Sequence, residues 1–379
     1  MKLREIVEGK VRLLVPDLEE LKKNNFVDPA WAPVFYNPKM VFNRDLSVLF
    51  VSVISPKSVI DALSATGIRG LRYYIENNVN EVILNDKNPI AYNLMIENVK
   101  LNNIPQGSIK VYNRDANSLL FEIYADFIDI DPFGSPIPFV LASVKAAGKR
   151  GYVAYTATDL APLEGSHKNS CRRKYGAINE KLSFSKEVGL RILIGKIISE
   201  AAIIEKALEP ILAYYADHYY RVYFKVNKGA KRTDELLEKF GYYYECSKCG
   251  FVIESKEFHK FECPRCKTPM RVAGPLWLGK LNDLDFIEKI KHELEKFSYL
   301  TTYNRISKLL EYLKNESKYN HYWRLDFLSS RIKTNVPKRQ KVIECLGDGS
   351  FTHFDYRGIK TNKSYDEIVE CIKISSNIN

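Results

Sequence analysis

Between about residues 58 and 160, short apolar runs alternate with amphipathic stretches. SVIDAL (58–63), EVILND (81–86), SIKVYNRD (108–115), ADFIDIDPF (125–133) and GYVAYTATDL (151–160) read as strands. GIRGLRYYIENN (67–78), PIAYNLMIENVKLNN (89–103), NSLLFEIY (117–124) and PFVLASVKAA (138–147) read as the helices between them. That alternation predicts a parallel sheet covered on both faces, whose ligands lie outside the carboxyl ends of its strands. A loop rich in charge and Ser (163–185), a long amphipathic helix (186–208) and a tyrosine-rich strand (218–227) should follow. Beyond residue 274 the pattern is mostly helical.

The strand ends carry the candidate chemistry. DALSATGIRG (61–70) joins the first strand to a helix through small residues, so backbone amides can approach a ligand. Asp86 ends the next strand about 20 residues on, where an acid commonly holds ribose hydroxyls. Asp115 and Ala116 end the third, where an adenine amine could be read. Either aspartate alone would serve as a helix cap, but acids at 61, 86 and 115 in succession point to a nucleoside. The fourth strand end, IDIDPFGSP (128–136), contains Asp131-Pro132-Phe133. This resembles the acid/amide–Pro–aromatic turn of methyltransferases acting on ring-conjugated nitrogens. Asp131 could take up the proton of such an amine, Pro132 leaves its carbonyl free to accept, and Phe133 could stack on the base.

Cysteine spacing adds a second centre. Cys246-x2-Cys249-x13-Cys263-x2-Cys266 is a four-thiolate pattern suited to a closed, structural zinc site. Cys171, Cys345 and Cys371 show no partner spacing and are expected as half-buried thiols. The chain has 379 residues, enough for two or three units, and a net charge of +11 that favours a polyanionic partner. Residues 242–379 hold 24 Lys/Arg against 18 Asp/Glu, so the excess is denser there. Basic clusters at 167–176, 228–232 and 331–341, with the aromatics of 215–224 and 321–327, leave room for an RNA surface. With neither a membrane-length apolar run nor a signal-type block, the chain is expected to be cytoplasmic.

With these residues in view, the chain resembles the tRNA guanine-26 dimethyltransferases, almost end to end. VFYNPKMVFNRDLSV (34–48), DALSATGIRG (61–70), DIDPFGSP (129–136) and TATDLAPLEG (156–165) are similar to that family's blocks, as are GLRILIG (189–195), GPLW (274–277) and GIKTN (358–362). The resemblance implies S-adenosylmethionine as donor, with Arg44 and Arg69 on its carboxylate, Asp86 on the ribose, Asp115 and Ala116 at the adenine, and Asp131 as catalytic carboxylate. The segment 345–354 is less like the family than its neighbours.

Together these readings predict an α/β, class I methyltransferase (Rossmann-like) doubly wound sheet over 1–240. A zinc-binding module at 241–273 and a mainly helical α+β, RNA-binding part at 274–379 should follow. The expected partner is tRNA, with no membrane and no obligatory protein partner. Two rival readings are an adenine 6-amino methyltransferase and a noncatalytic, zinc-stabilised RNA-binding protein.

Overall fold

The structure, a computed structural model, describes residues 1–22, 28–148 and 150–376. It opens with the hairpin β1 (Leu3–Glu8) and β2 (Val11–Pro16), followed by helix α1 (Val41–Ile54). The predicted alternation then appears as β3 (Ser58–Asp61), α2 (Ile68–Glu76), β4 (Glu81–Asn85), α3 (Pro89–Leu101), β5 (Ile109–Tyr112) and α4 (Ala116–Glu122). It continues through β6 (Phe127–Ile130), α5 (Val140–Ala146) and β7 (Tyr152–Ala157). Local chemistry fixes several of these starts. Asn88 caps α3 by accepting from the Ile90 amide ahead of Pro89, and Asp115 caps α4 by accepting from Ser118.

The next segment departs from its expected form. The short helix α6 (Leu160–Leu163) runs into the loop expected at 163–185, which itself contains α7 (Lys168–Tyr175) and the short strand β8 (Ile178–Asn179). The helix expected to reach 208 is α8 (Ser185–Ala202), and β9 (Lys206–Ala216) begins where it should still be helical. Nor is α8 a surface amphipath. Residues such as Val188, Ile192, Leu193 and Ile198 are all buried in one core with Leu208, Ala273 and Trp277, because the helix lies between two sheets. An apolar run reads alike as a buried helix or a buried strand, so neither the helix end nor β9 was separable by periodicity.

With β10 (Tyr219–Lys228) the main sheet has seven strands in the order β5-β4-β3-β6-β7-β10-β9. The first five pair in parallel, and β10 runs antiparallel to both neighbours. The chain leaves β3 in one direction and returns to its other side with β6, which puts the topological switch point between them. Asp61 ends β3, and Asp131 directly follows β6.

Helix α9 (Ala230–Leu237) leads to β11 (Phe240–Cys246), β12 (Val252–Ser255) and β13 (Met270–Trp277), which with β8 form a second sheet, β12-β11-β13-β8. The strand β13 runs across residue 273. The rest comprises α10 (Leu284–Leu294), α11 (Tyr303–Glu316), β14 (Tyr322–Arg324), α12 (Leu325–Ile332) and α13 (Arg339–Leu346), then β15 (Ser350–Phe351), β16 (Gly358–Lys360) and α14 (Tyr365–Ser376). One hydrophobic core joins Leu46 and Phe50 of α1 to Ile287 of α10 and Leu310 of α11, so the C-terminal helices share a core with the main sheet.

Two further expectations fail. Cys345 and Cys371 form a disulfide, their Cα atoms brought to 5.7 Å by the packing of α13 against α14. Twenty-six residues of separation gave no sign of it. The aromatics expected near an RNA surface are largely core instead: Tyr219, Tyr220, Tyr223 and Phe224 are buried in the sheet, Tyr322 joins the core around α8, and Trp323 lies under the C-terminal helices. Among the described residues no helix is long and apolar enough to cross a membrane.

Candidate active site

The turn after β3 is built for close approach. Gly67 has φ +82° and Ala65 has φ +49°, so the chain doubles back before α2 begins. Gly70 lies so close to β4 that a Cβ there would stand 2.2 Å from Leu84, and its absence lets α2 pack onto the sheet. Asp86 reaches this turn: one carboxylate oxygen accepts from the Ala65 amide at 3.0 Å, the other from Asn88 at 2.9 Å. Asn85 ties three strand ends together. Its side chain donates to the carbonyls of Ala62 (3.0 Å) and Arg114 (3.1 Å) and accepts from the Arg114 amide. Asp115 is exposed at the cap of α4, with Ala116 buried behind it.

The turn after β6 faces this loop across the switch point. Asp131 and Pro132 are half-buried, while Phe133 is 69% exposed and meets Phe35 edge-on, with ring centroids 4.6 Å apart. The turn is pinned from β7. The Gly134 amide donates to the Thr158 hydroxyl at 2.8 Å, and the Thr158 amide donates to the Gly134 carbonyl at 3.0 Å. Tyr175 of α7 adds a second brace, donating to Asp159 at 2.6 Å and hydrogen-bonded to the Ser135 hydroxyl at 3.0 Å.

Beneath the turn lies a buried charge network. Arg69 is ion-paired with Asp131 and donates to Ser47 at 3.0 Å. Arg221 holds both oxygens of Asp129, at 2.8 and 2.7 Å, and Tyr73 donates to Asp129 at 2.5 Å. Burial would raise the Asp129 carboxyl, but the charges of Arg221 and Arg69 keep it below the usual range. Asp61, fully buried beside the charge of Asp129, is pushed up to about 7. Two acids in one pocket thus hold their protons differently.

The remaining expected residues fall in two places. Arg44 is buried on α1, one turn from Ser47, and its Nε and Nη2 donate to the two oxygens of Glu8, at 2.6 and 2.7 Å. The structure directs it toward the N-terminal hairpin, whereas Arg69 faces Asp131. Cys246, Cys249, Cys263 and Cys266 gather far along the chain with all four sulfurs within 4.8 Å of one another, and Cys249 and Cys263 are 3.7 Å apart. Tetrahedral zinc with Zn–S of about 2.3 Å spaces its sulfurs by about 3.8 Å, so the donor set fits that ion.

Phe35, Asn85, Asp129 and Arg221 escaped sequence reasoning. Asp129 alone left a signal, as an acid inside an otherwise apolar strand, which must find a buried partner.

A profile of the N2,N2-dimethylguanosine tRNA methyltransferase family matches residues 9–373. A tRNA (guanine(26)-N(2))-dimethyltransferase of Sulfurisphaera tokodaii is 56% identical over 377 residues, covering 99% of this chain and 100% of that protein. The protein of that name from Sulfolobus acidocaldarius is 52% identical over 381 residues, with both chains fully covered. Trm1 from Pyrococcus horikoshii, solved in complex with S-adenosyl-L-methionine, is 37% identical with a TM-score of 0.87, and the match covers 98% of this chain and 100% of that one. The turn at Asp131, the strand-end loop at Asp61–Gly67 and a likeness that spans both chains lead to one conclusion: this chain belongs to the N2,N2-dimethylguanosine tRNA methyltransferase family.

Proposed function

We propose that this enzyme transfers a first and then a second methyl group from S-adenosylmethionine to the 2-amino nitrogen of guanosine 26 in tRNA. Asp131 is its proton acceptor. The observation that carries the reading is the pairing of Asp131 with Arg69 on a braced turn beside the exposed ring of Phe133. The donor supplies an electrophilic methyl on sulfur. A guanine amine is a weak nucleophile because its lone pair is delocalised into the ring. Arg69 fixes one oxygen of Asp131 and leaves the other to accept from the amine as the N–C bond forms and the C–S pair departs onto sulfur. The first product keeps one N–H, so the same carboxylate serves a second transfer. The dimethylated amine has none, and the reaction stops.

Asp86 reads the ribose, Asp115 and the Ala116 amide read the adenine, and Arg69 supplies the positive end of the pocket for the donor carboxylate; Arg44, held by Glu8, would have to exchange that partner to join it. Phe133, with Phe35 behind it, offers a stacking face to a base drawn from its stack, a step that costs about a few kcal/mol. The four cysteines hold a structural zinc, which has no open coordination position and takes no part in methyl transfer. Soluble cytoplasmic tRNA is the natural setting for this chemistry.

The test is incubation of unmodified tRNA with the enzyme and labelled donor, followed by mass spectrometry of the nucleosides. Mono- and dimethylated guanosine at position 26 are expected. Methyl groups on an adenine 6-amino nitrogen, or none on any base, would overturn the reading.

A further inference from the structure

Helix α1 carries the active-site serine Ser47, and five residues earlier it places Phe42 in the wall of a separate cleft of about 280 Å³. Tyr220, just after the β9–β10 turn, pairs with Ala157 at the end of β7, so the cleft opens on the same edge of the sheet as the turns that carry Asp61 and Asp131. One wall belongs to the catalytic sheet, through Phe42 and the β9–β10 turn with Tyr215 and Asp217. The other belongs to the C-terminal part, through Arg305, Lys308 and Tyr312 of α11, Arg339 of α13, and His353 and Tyr356 after β15. The walls are stapled together. His353 accepts from the Tyr215 amide at 3.1 Å, and its other ring nitrogen is paired with Glu316. Arg305 pairs with Asp217 at 2.8 Å and lies over the Phe42 ring at 4.0 Å.

The charge in this cleft is one-sided. Asp217, the only acid among the described residues that line it, is already neutralised by Arg305. Among the described residues Lys308 and Arg339 have no acidic partner; Arg339 rests on the Phe351 ring at 4.3 Å, and Lys308 is exposed. Tyr356 is 71% exposed at the rim. Beyond Lys308 and Tyr312 the groove widens into a cavity of about 840 Å³, where Glu288 and Glu311 are paired to lysines but Asp285 is not. An anion is therefore favoured at the near end.

We infer that this cleft binds the sugar–phosphate backbone of tRNA within a few nucleotides of the target base, with Lys308 and Arg339 on phosphates and Tyr356 against a base or ribose. Cations with a free charge beside an exposed aromatic suit a nucleic-acid strand, because phosphates release counterions and bases stack. The inference rests on the proposed reaction for its choice of RNA, and it assigns the contacts that seat that RNA.

The test compares wild type with Lys308→Gln, Arg339→Gln, their double variant and Tyr356→Ala. Thermal melting checks folding, calorimetry with S-adenosylmethionine checks the donor pocket, and filter binding and kinetics use unmodified tRNA. The double variant should raise KM for tRNA at least ~10-fold, with kcat at saturating tRNA within about twofold of wild type. The slope of log affinity against log salt should fall by about one for each cation removed. Unchanged KM and slope in well-folded Lys308→Gln and double variants would overturn the inference. So would an equal loss of donor affinity. Filter binding reads the cleft even if no base is methylated, so its failure and that of the proposed reaction are separable.

Discussion

The Asp86 carboxylate accepts from the Ala65 amide at 3.0 Å, across 21 residues of chain, and so ties the end of β4 to the turn after β3. The acid that should read the ribose also holds the left-handed turn over which the donor must lie. Replacing it therefore tests two roles at once. Asp86→Ala should weaken donor binding by about 1–3 kcal/mol, the cost of leaving buried hydroxyls unpaired. Asp86→Asn keeps an acceptor for the Ala65 amide and should fall between. Calorimetry with S-adenosylmethionine measures both; an unchanged dissociation constant in Asp86→Ala would leave Asp86 as a turn anchor alone.

Asp131→Ala should lose at least ~10²-fold in kcat, the scale of a positioned proton acceptor. Single-turnover assays at saturating donor and tRNA isolate that step. Asp131→Asn keeps the shape and the hydrogen-bond acceptor but not the basicity, so it should be similarly impaired. Near-normal turnover in either variant would remove Asp131 from the proton transfer.

Phe133→Ala should reduce kcat/KM for tRNA by about 1–3 kcal/mol, the value of one base–aromatic stack. Phe35→Ala removes only the edge contact that orients Phe133, and its effect should be smaller. Donor affinity should stay at the wild-type value in both, as calorimetry would show. Equal losses of donor and tRNA affinity would mean that the ring supports the pocket and does not face the base.

Elemental analysis should find one zinc per chain. Cys246→Ser should loosen the region around β11–β13 and lower tRNA affinity before donor affinity, because metal binding and local folding are coupled in such modules. Chelation should act likewise, read by limited proteolysis and by donor titration. Full activity in a metal-free wild type would end the assignment.

Acid should act through Glu8. Burial alone would raise its carboxyl, but the charges of Arg44 and Arg72 outweigh that and hold it at about 2, below the ordinary 4.5. The folded state binds this proton less readily than the unfolded chain. The stabilisation is therefore complete above about pH 4.5 and disappears as pH falls through 2, on the order of 3 kcal/mol. Glu8→Gln should lower the melting temperature at pH 7 and flatten its decline below pH 4.5. Parallel melting curves of the two proteins across that window would exclude Glu8 as the source.

The alternation from 58 to 160, the acids at its strand ends and the paired C-x-x-C knuckles were legible because each is local. Strand period, helix period, a Pro or Asn at a helix start and ligand spacing are properties of a few consecutive residues. They sufficed for the class of sheet and for the four clustered thiols. What they could not reach was set by distant pairs. Asp129 needed Arg221, 92 residues away, to remain a buried carboxylate. The tyrosines of 215–224 looked like an RNA surface until β10 was placed inside the sheet, and Cys345 met Cys371 only through the packing of α13 on α14. Arg44 and Arg69 are similar in sequence terms, yet tertiary structure gives one to Glu8 and the other to Asp131. A buried charge must be compensated where the fold brings a partner, and that partner can come from anywhere in the chain.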